Sequence, residues 1–445
     1  MKRLAVTVLL ILVLSSIALG QKQKIFPYPI HKKQLPNGLK LVVVPFDSPG
    51  IMAYYTVVRV GSRNEVEPGV TGFAHFFEHM MFRGTPKYSN EKYQAILKDL
   101  GVDSNAFTSD DWTCYHSTAP ASALETIMDM ESDRFQNLKY SLEDFQKEAK
   151  AVLGEYNKSA ASPFLAINEA QRDTMFQKHT YKHSTIGFLK DIVDMPNQYD
   201  YSLKFFDRFY RPEYCTVMVV GDVKPEQVFK LAEKYYGPWK HGNHVADIPV
   251  EPAQTGEKIA DIPWKGRTLP YLVVAFHAPA FSTETKDKVA LNLLAKLAFG
   301  NTSALYQKLV LAEQRADLLA ANADDSRDPG SFEIYVRVKN EAELAKVRDE
   351  VYAKLEELKV KPVAEGELAE VKSNFRYNFA MQLRTPDEVA YTLGNYINLA
   401  GEPEAVNKVF ELYDQVTPAD IQRVAQQIFT KENRTVLTLK GGSAK

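Results

Sequence analysis

Cysteine is nearly absent. Two residues in 445, Cys114 and Cys215, allow at most one disulfide, so no disulfide framework holds this chain together. Both fall in expected strands, where a single bridge in an exported compartment and two buried thiols fit equally well. An excess charge of one sign is also missing: 54 Lys and Arg stand against 56 Asp and Glu. The cations are scattered through helical stretches as solvated faces instead of forming a basic stripe, which removes nucleic acid from the expected partners. Long apolar runs are lacking too, and nothing after residue 20 has the twenty or so apolar residues that span a bilayer. The run Leu4 to Leu14 is shorter than that, follows Lys2 and Arg3, and precedes Ser15, Ser16 and Ala18-Leu19-Gly20. This is the layout of a secretory signal peptide over residues 1–20, with no following cysteine to carry a lipid. The expected mature chain has about 425 residues and sits in a bacterial periplasm or outside the cell.

What is present centres on His75-Phe76-Phe77-Glu78-His79. Residues i and i+4 of a helix share a face, so both imidazoles can reach one metal ion while Glu78 stays beside them. With 9 His and 56 acidic residues, this pattern arises by chance roughly 0.02 times per chain. The bland alternative is a core helix with incidental histidines, because Phe73, Phe76, Phe77, Met80, Met81 and Phe82 make the segment apolar all round. Two histidines and a glutamate buried there are costly unless hydrogen-bonded, neutralised or metal-bound, and this favours the metal.

Catalytic zinc usually takes three protein ligands and leaves a fourth position for water. Ser141 to Ser159 reads as a helix with Glu143, Lys147, Lys150 and Lys158 on one face and Phe145, Ala149, Val152 and Tyr156 on the other. Glu148 and Glu155, seven apart, fall on the apolar side, where glutamates seldom belong. Glu155 is the expected third ligand, and Glu148 the carboxylate that orients a ligating histidine.

The order His-x-x-Glu-His with a glutamate about seventy-five residues later resembles the inverzincin metallopeptidases, the pitrilysin family that includes mitochondrial processing peptidase and insulin-degrading enzyme. The likeness extends to HFFEHMMFRGT from His75 to Thr85, to the pair Glu148 and Glu155, and to Asn105-Ala106-Phe107-Thr108 followed by Thr113-Cys114-Tyr115. The resemblance implies one Zn2+ per chain held by His75, His79 and Glu155, with Glu78 as general base. It also implies an edge strand at Asn105, Ala106, Phe107 and Thr108 on which a peptide is laid as an added strand. Zinc would bring the pKa of its water to about 7, and Glu78 would take the proton and return it to the leaving amine.

The chain also contains one unit twice. A shift of 219 lays helix 198–210 and strand 214–221 onto helix 417–429 and strand 433–440, and strand 51–61 onto 270–280. Strands are also read at 39–45 and 112–119. The expected fold class is α+β: two homologous α/β sandwich-like domains, each a mostly antiparallel sheet covered by helices, related by internal duplication. Residues 25–239 form the metal-bearing domain, 240–265 a linker and 266–445 the second domain. At this offset His75, Glu78 and His79 fall on Leu294, Leu297 and Ala298, so only the first copy has metal ligands.

Inverzincins commonly carry an Arg and a Tyr seven apart after a turn like Gly300-Asn301-Thr302-Ser303. The matching positions here are Val310 and Asp317, which cannot stabilise an oxyanion. Tyr306 and Arg315 have the wrong spacing and are given packing and surface roles. The expectation is the catalytic subunit of a two-protein peptidase whose homologous partner supplies the Arg/Tyr pair. A homodimer and a non-hydrolytic structural or peptide-binding subunit remain the alternatives. His179 and His183 sit in a polar turn and resemble a family loop instead of a second metal site. His31, His116, His241, His244 and His277 read as surface or satisfied histidines. The sequons at Asn157, Asn301 and Asn433 matter only in a glycosylating pathway.

Overall fold

Alternating apolar stretches become the strands of two sheets. The computed structural model describes residues 24–441, so the expected signal peptide lies outside the described residues. The first sheet contains β1 (His31–Gln34), β2 (Lys40–Pro45), β3 (Ile51–Val58), β4 (Asp103–Thr108), β5 (Thr113–Pro120) and β6 (Cys215–Gly221), in the order β1-β2-β6-β3-β5-β4. The second contains β7 (Lys258–Ile262), β8 (Tyr271–Ala278), β9 (Ala316–Asn322), β10 (Gly330–Val338) and β11 (Arg434–Leu439), in the order β7-β11-β8-β10-β9. With β1 set aside the two orders correspond strand for strand. Each sheet is antiparallel except for one parallel pair, β2 with β6 and β7 with β11. The structure is thus two α+β units of one topology, as the 219-residue repeat implies.

Residues 240–257 carry no helix or strand. Lys258–Ile262, placed at the end of the expected linker, is instead a strand of the second sheet, where its backbone pairs with β11. Burial alternates along it, with Lys258, Ala260 and Ile262 turned inward and Ile259 and Asp261 exposed, but residue type does not follow that alternation, so the sequence hides the strand.

The helices that matter below are α1 (Phe73–Met80), α2 (Leu142–Ser159), α3 (Pro163–Met175), α4 (Tyr199–Phe209), α5 (Asp287–Phe299), α6 (Pro386–Ala400) and α7 (Pro418–Ile428). Period-two alternation gives the first sheet two apolar faces. Leu41, Val43, Met52, Tyr54, Tyr115, Val217 and Val219 pack against Phe73, Phe76 and Phe77 of α1, Phe145 of α2 and Phe205 of α4. Val42, Val44, Tyr55, Val57, Met218 and Val220 pack on the other side, against Val389, Ala390, Leu393 and Ile397 of α6. That helix comes from the second unit. Reciprocally, Ile167 and Met175 of α3 join Tyr271, Val273, Leu437 and Leu439 of the second sheet. Each unit therefore lends a helix to the other's sheet, and the two share buried surface.

Cys114 and Cys215 are free, buried thiols. They lie on opposite faces of the first sheet, Cys114 with Trp112 and Cys215 with Tyr115. The strand alternation that separates them prevents a bridge between the two. Among the described residues no helix is long and apolar enough to cross a membrane.

Candidate metal centre

Three side chains from two helices converge. His75 Nε2 lies 3.5 Å and His79 Nε2 3.6 Å from Glu155 Oε2, and the two imidazole rings are 4.8 Å apart at their centroids. Two donors each about 2.0–2.1 Å from a tetrahedral zinc ion lie about 3.4 Å apart, so this N, N, O set fits the metal with little movement. Among the described residues these three form the one cluster of His, Cys, Asp and Glu with metal-binding spacing.

Local sequence explains the convergence. α1 buries Phe73, Ala74, Phe76, Phe77 and Met80, leaving His75, Glu78 and His79 on the partly open face, so the helix is not apolar all round. α2 opens with a capping box: Ser141 Oγ accepts from Asp144 N at 3.1 Å, and the Asp144 carboxylate accepts from Ser141 N at 3.2 Å. From the end of its first turn onward Phe145, Ala149 and Val152 seat α2 against α1 and carry Glu148 and Glu155 to the histidines.

Glu148 binds the far side of His79. Its Oε1 lies 2.9 Å from His79 Nδ1, and its Oε2 accepts from Arg83 Nε at 2.6 Å and from Arg83 Nη2. This contact fixes the tautomer that leaves His79 Nε2 facing Glu155. Burial opposes the Glu148 charge, but the His79 and Arg83 hydrogen bonds overcome it and hold the carboxyl below its ordinary pKa. The same bond raises His79. His75 is lowered to about 4 by burial, with His79 adding to the effect, and so stays neutral, as a ligand must. Its Nδ1 is buried without a hydrogen-bond partner.

Glu78 accepts a 2.7 Å hydrogen bond from Thr108 Oγ1, the last residue of β4. Burial raises the Glu78 carboxyl against the pull of that bond, a shift that suits a proton acceptor working near neutral pH. β4 is the edge of its sheet, so its outer backbone groups are open to another strand. Ala106 and Thr108 point to the metal side, while the Phe107 ring packs at a tilt against Tyr391 of α6, 5.8 Å between centroids. A cleft of about 730 Å³ opens beside His75 and Glu155. Its walls are Phe164, Leu165 and Ile167 of α3, the loop Ser184–Ile186, and Leu318, Ala320 and Tyr335 of the second sheet.

Other expected residues lie apart from this centre. His179 is buried against Asp328 at 3.0 Å, and His183 Nδ1 meets Ser184 O at 3.0 Å, so neither joins a metal cluster. Val310 packs on the core of the second unit. Asp317 is a bulged residue of β9, where the register slips, and it makes a two-pronged ion pair with Arg337 at 2.7 and 3.0 Å. Its charge is thereby neutralised. Arg315 is bound by Glu313, Glu343 and Glu350. At the place corresponding to the metal helix, α5 buries Leu294 and Ala298 and half-buries Leu297.

Sequence reasoning missed Arg83 and Glu65. Arg83 lies four residues after His79, a spacing that offered a signal. Glu65 caps α1 from seven residues upstream of Gly72, and no local pattern announces it.

Comparison with known proteins agrees with the fold. The family model for insulinase (peptidase family M16) matches residues 51–188, and that for the peptidase M16 inactive domain matches residues 198–375. Zinc protease PqqE of Helicobacter pylori is 28% identical over 420 residues, covering 93% of each chain. The crystal structure of a protease from Helicobacter pylori superposes with a TM-score of 0.86 at 28% identity, over 93% of this chain and 99% of that one. The periplasmic protease PqqL from Escherichia coli shares the fold, with a TM-score of 0.74 at 19% identity, over 95% of this chain but 48% of its own length. From the zinc-helix sequence, the paired downstream glutamates, the repeated sheet and these matches, the chain belongs to peptidase family M16, the insulinase family.

Proposed function

We propose that the chain is a zinc-dependent endopeptidase that hydrolyses extended peptides or unfolded segments, and that it is the catalytic subunit of a heteromeric enzyme. The observation that carries this reading is the convergence of His75, His79 and Glu155 beside a Glu78 held by Thr108 of an open edge strand. His75, His79 and Glu155 would hold one zinc ion per chain, which would supply Lewis acidity to activate water near neutral pH. Glu78 accepts the proton and returns it to the leaving amine. Glu148 keeps His79 in its ligating tautomer. Asn105, Ala106, Phe107 and Thr108 of β4 take the substrate as an added strand, which requires an extended chain.

Val310 and Asp317 stand where an oxyanion clamp is expected, and neither donates a hydrogen bond into the cleft. The missing donors are assigned to a homologous partner. PqqL, roughly twice the length of this chain by coverage, is consistent with two such units working together. The domain division belongs to this reading, with the connecting segment cut back from 240–265 to 240–257 and the second unit begun at β7, as does a periplasmic or secreted location. Its test is cleavage of a mixed quenched-fluorescence peptide library by the zinc-loaded chain, alone and with its co-purifying partner. Turnover only with the partner supports the split site. Turnover by the chain alone replaces it with a homodimer, and silence in both turns the chain into a peptide-binding subunit.

A further inference from the structure

α1 begins without a cap of its own. Its N-cap is Gly72, which has no side chain to offer and sits at φ +91, where a Cβ would meet Ile186 O at 2.5 Å. Glu65 supplies the missing acceptors from a distance. Its Oε2 takes the Gly72 N–H and its Oε1 the Ala74 N–H, both at 2.7 Å, and its side chain is 0% exposed. Two carboxylate oxygens each accepting an N–H at the positive end of a helix satisfy donors that would otherwise be buried unpaired. The segment is gripped a second time just upstream. Thr71 Oγ1 donates to Asp191 at 2.7 Å and accepts from Phe188 N at 2.8 Å. His75 follows Ala74 directly, in the first turn of α1.

We propose that Glu65 is a positioning residue for the metal centre: as the remote cap of α1 it fixes the rotation of the helix at which His75 and His79 converge on Glu155. The inference rests on the metal reading above. Magnitudes favour a positioning role over one of stability alone. An imidazole nitrogen lies about 6–7 Å from the helix axis, so a 10° rotation of α1 moves it by about 1 Å. Zinc–ligand distances tolerate only about 0.2 Å. A helix that stays folded but turns slightly therefore loses the centre, and the eight residues of α1 give little rigidity of their own.

The test is Glu65→Gln, which keeps the volume but sets an amide NH2 against one of the two N–H groups. The full mature chain is loaded with Co2+ for visible absorption and titrated with Zn2+ against a chromophoric chelator, and the apo form is melted in parallel. The expected result is an altered cobalt spectrum and a zinc dissociation constant raised about tenfold or more, in a protein still folded by circular dichroism. Glu65→Asp, which keeps the carboxyl group but shortens the reach, is the second variant should the first not fold, with a smaller shift expected. An unchanged spectrum and affinity beside a lowered melting temperature would overturn the positioning role. Failure of the wild-type chain to take up either metal would instead remove the metal reading, and this inference with it.

Discussion

Replacing Glu148 tests how the metal centre is oriented. Its carboxylate is 5% exposed, so its bonds to His79 and Arg83 are little screened by water. In Glu148→Gln the His79 bond passes from a charged to a neutral acceptor, a loss of about 1–1.5 kcal/mol. The new amide NH2 also faces the Arg83 guanidinium, donor against donor. One bond alone corresponds to about tenfold in zinc affinity, since each 1.4 kcal/mol is a factor of ten. Glu148→Ala leaves the imidazole N–H with no acceptor and moves the expected loss towards the hundredfold end of the range for such partners. Competition titration of zinc against a chromophoric chelator measures both, with melting of the apo protein as a control for folding. Dissociation constants within about twofold of wild type in both variants would refute the orienting role of Glu148.

Thr108→Val keeps shape and removes the 2.7 Å bond to Glu78, so peptide cleavage is expected to fall about tenfold while zinc content holds. Loss of zinc in that variant would contradict the assignment. Asp420 caps α7 by accepting from Thr417 N at 2.9 Å and from Lys286 at 2.6 Å, and despite partial burial these bonds lower its carboxyl to about 2. Because the folded pKa lies below the ordinary 3.8, the contribution is present above about pH 4 and lost as pH falls through about 2. After allowance for solvent screening it amounts to about 1–2 kcal/mol, and Asp420→Asn should abolish that part of the acid dependence in urea titrations. A variant with the wild-type acid profile would refute the assignment. Cutting the chain within 240–257 should give halves that stay insoluble or poorly folded apart and assemble when co-expressed, because α3 and α6 each lack their sheet. Independent cooperative melting of either half would contradict the exchanged-helix arrangement.

The site was legible because its information is local. His75, Glu78 and His79 lie within five residues, and Glu148 and Glu155 share a helix face whose start is marked by Ser141 and Asp144. The duplication was legible because strands 51–58 and 215–221 lie within one residue of a 219 offset to 271–278 and 434–439. The exchange of α3 and α6 was not, since an amphipathic pattern says which face is buried and not what covers it. β7 was lost in the linker for a related reason: five residues next to Pro and Gly carry too little periodicity to separate a strand from a loop. Glu65 was invisible because its partners are backbone N–H groups, which leave no trace in residue identity. Asp317 was legible as an acidic residue at the position where the resemblance expects a donor, but its neutralisation by Arg337 depends on a bulge in β9.

The proposed centre has His75, His79 and Glu155 as zinc ligands and Glu78 as the general base. The most direct measurement pairs metal content with peptide cleavage for the wild-type mature chain and Glu78→Gln, each in the presence of the co-purifying partner. The expected result is one zinc per chain in both proteins and cleavage by the wild type alone. Equal cleavage by the two proteins, or a wild-type chain that retains no zinc, would contradict it.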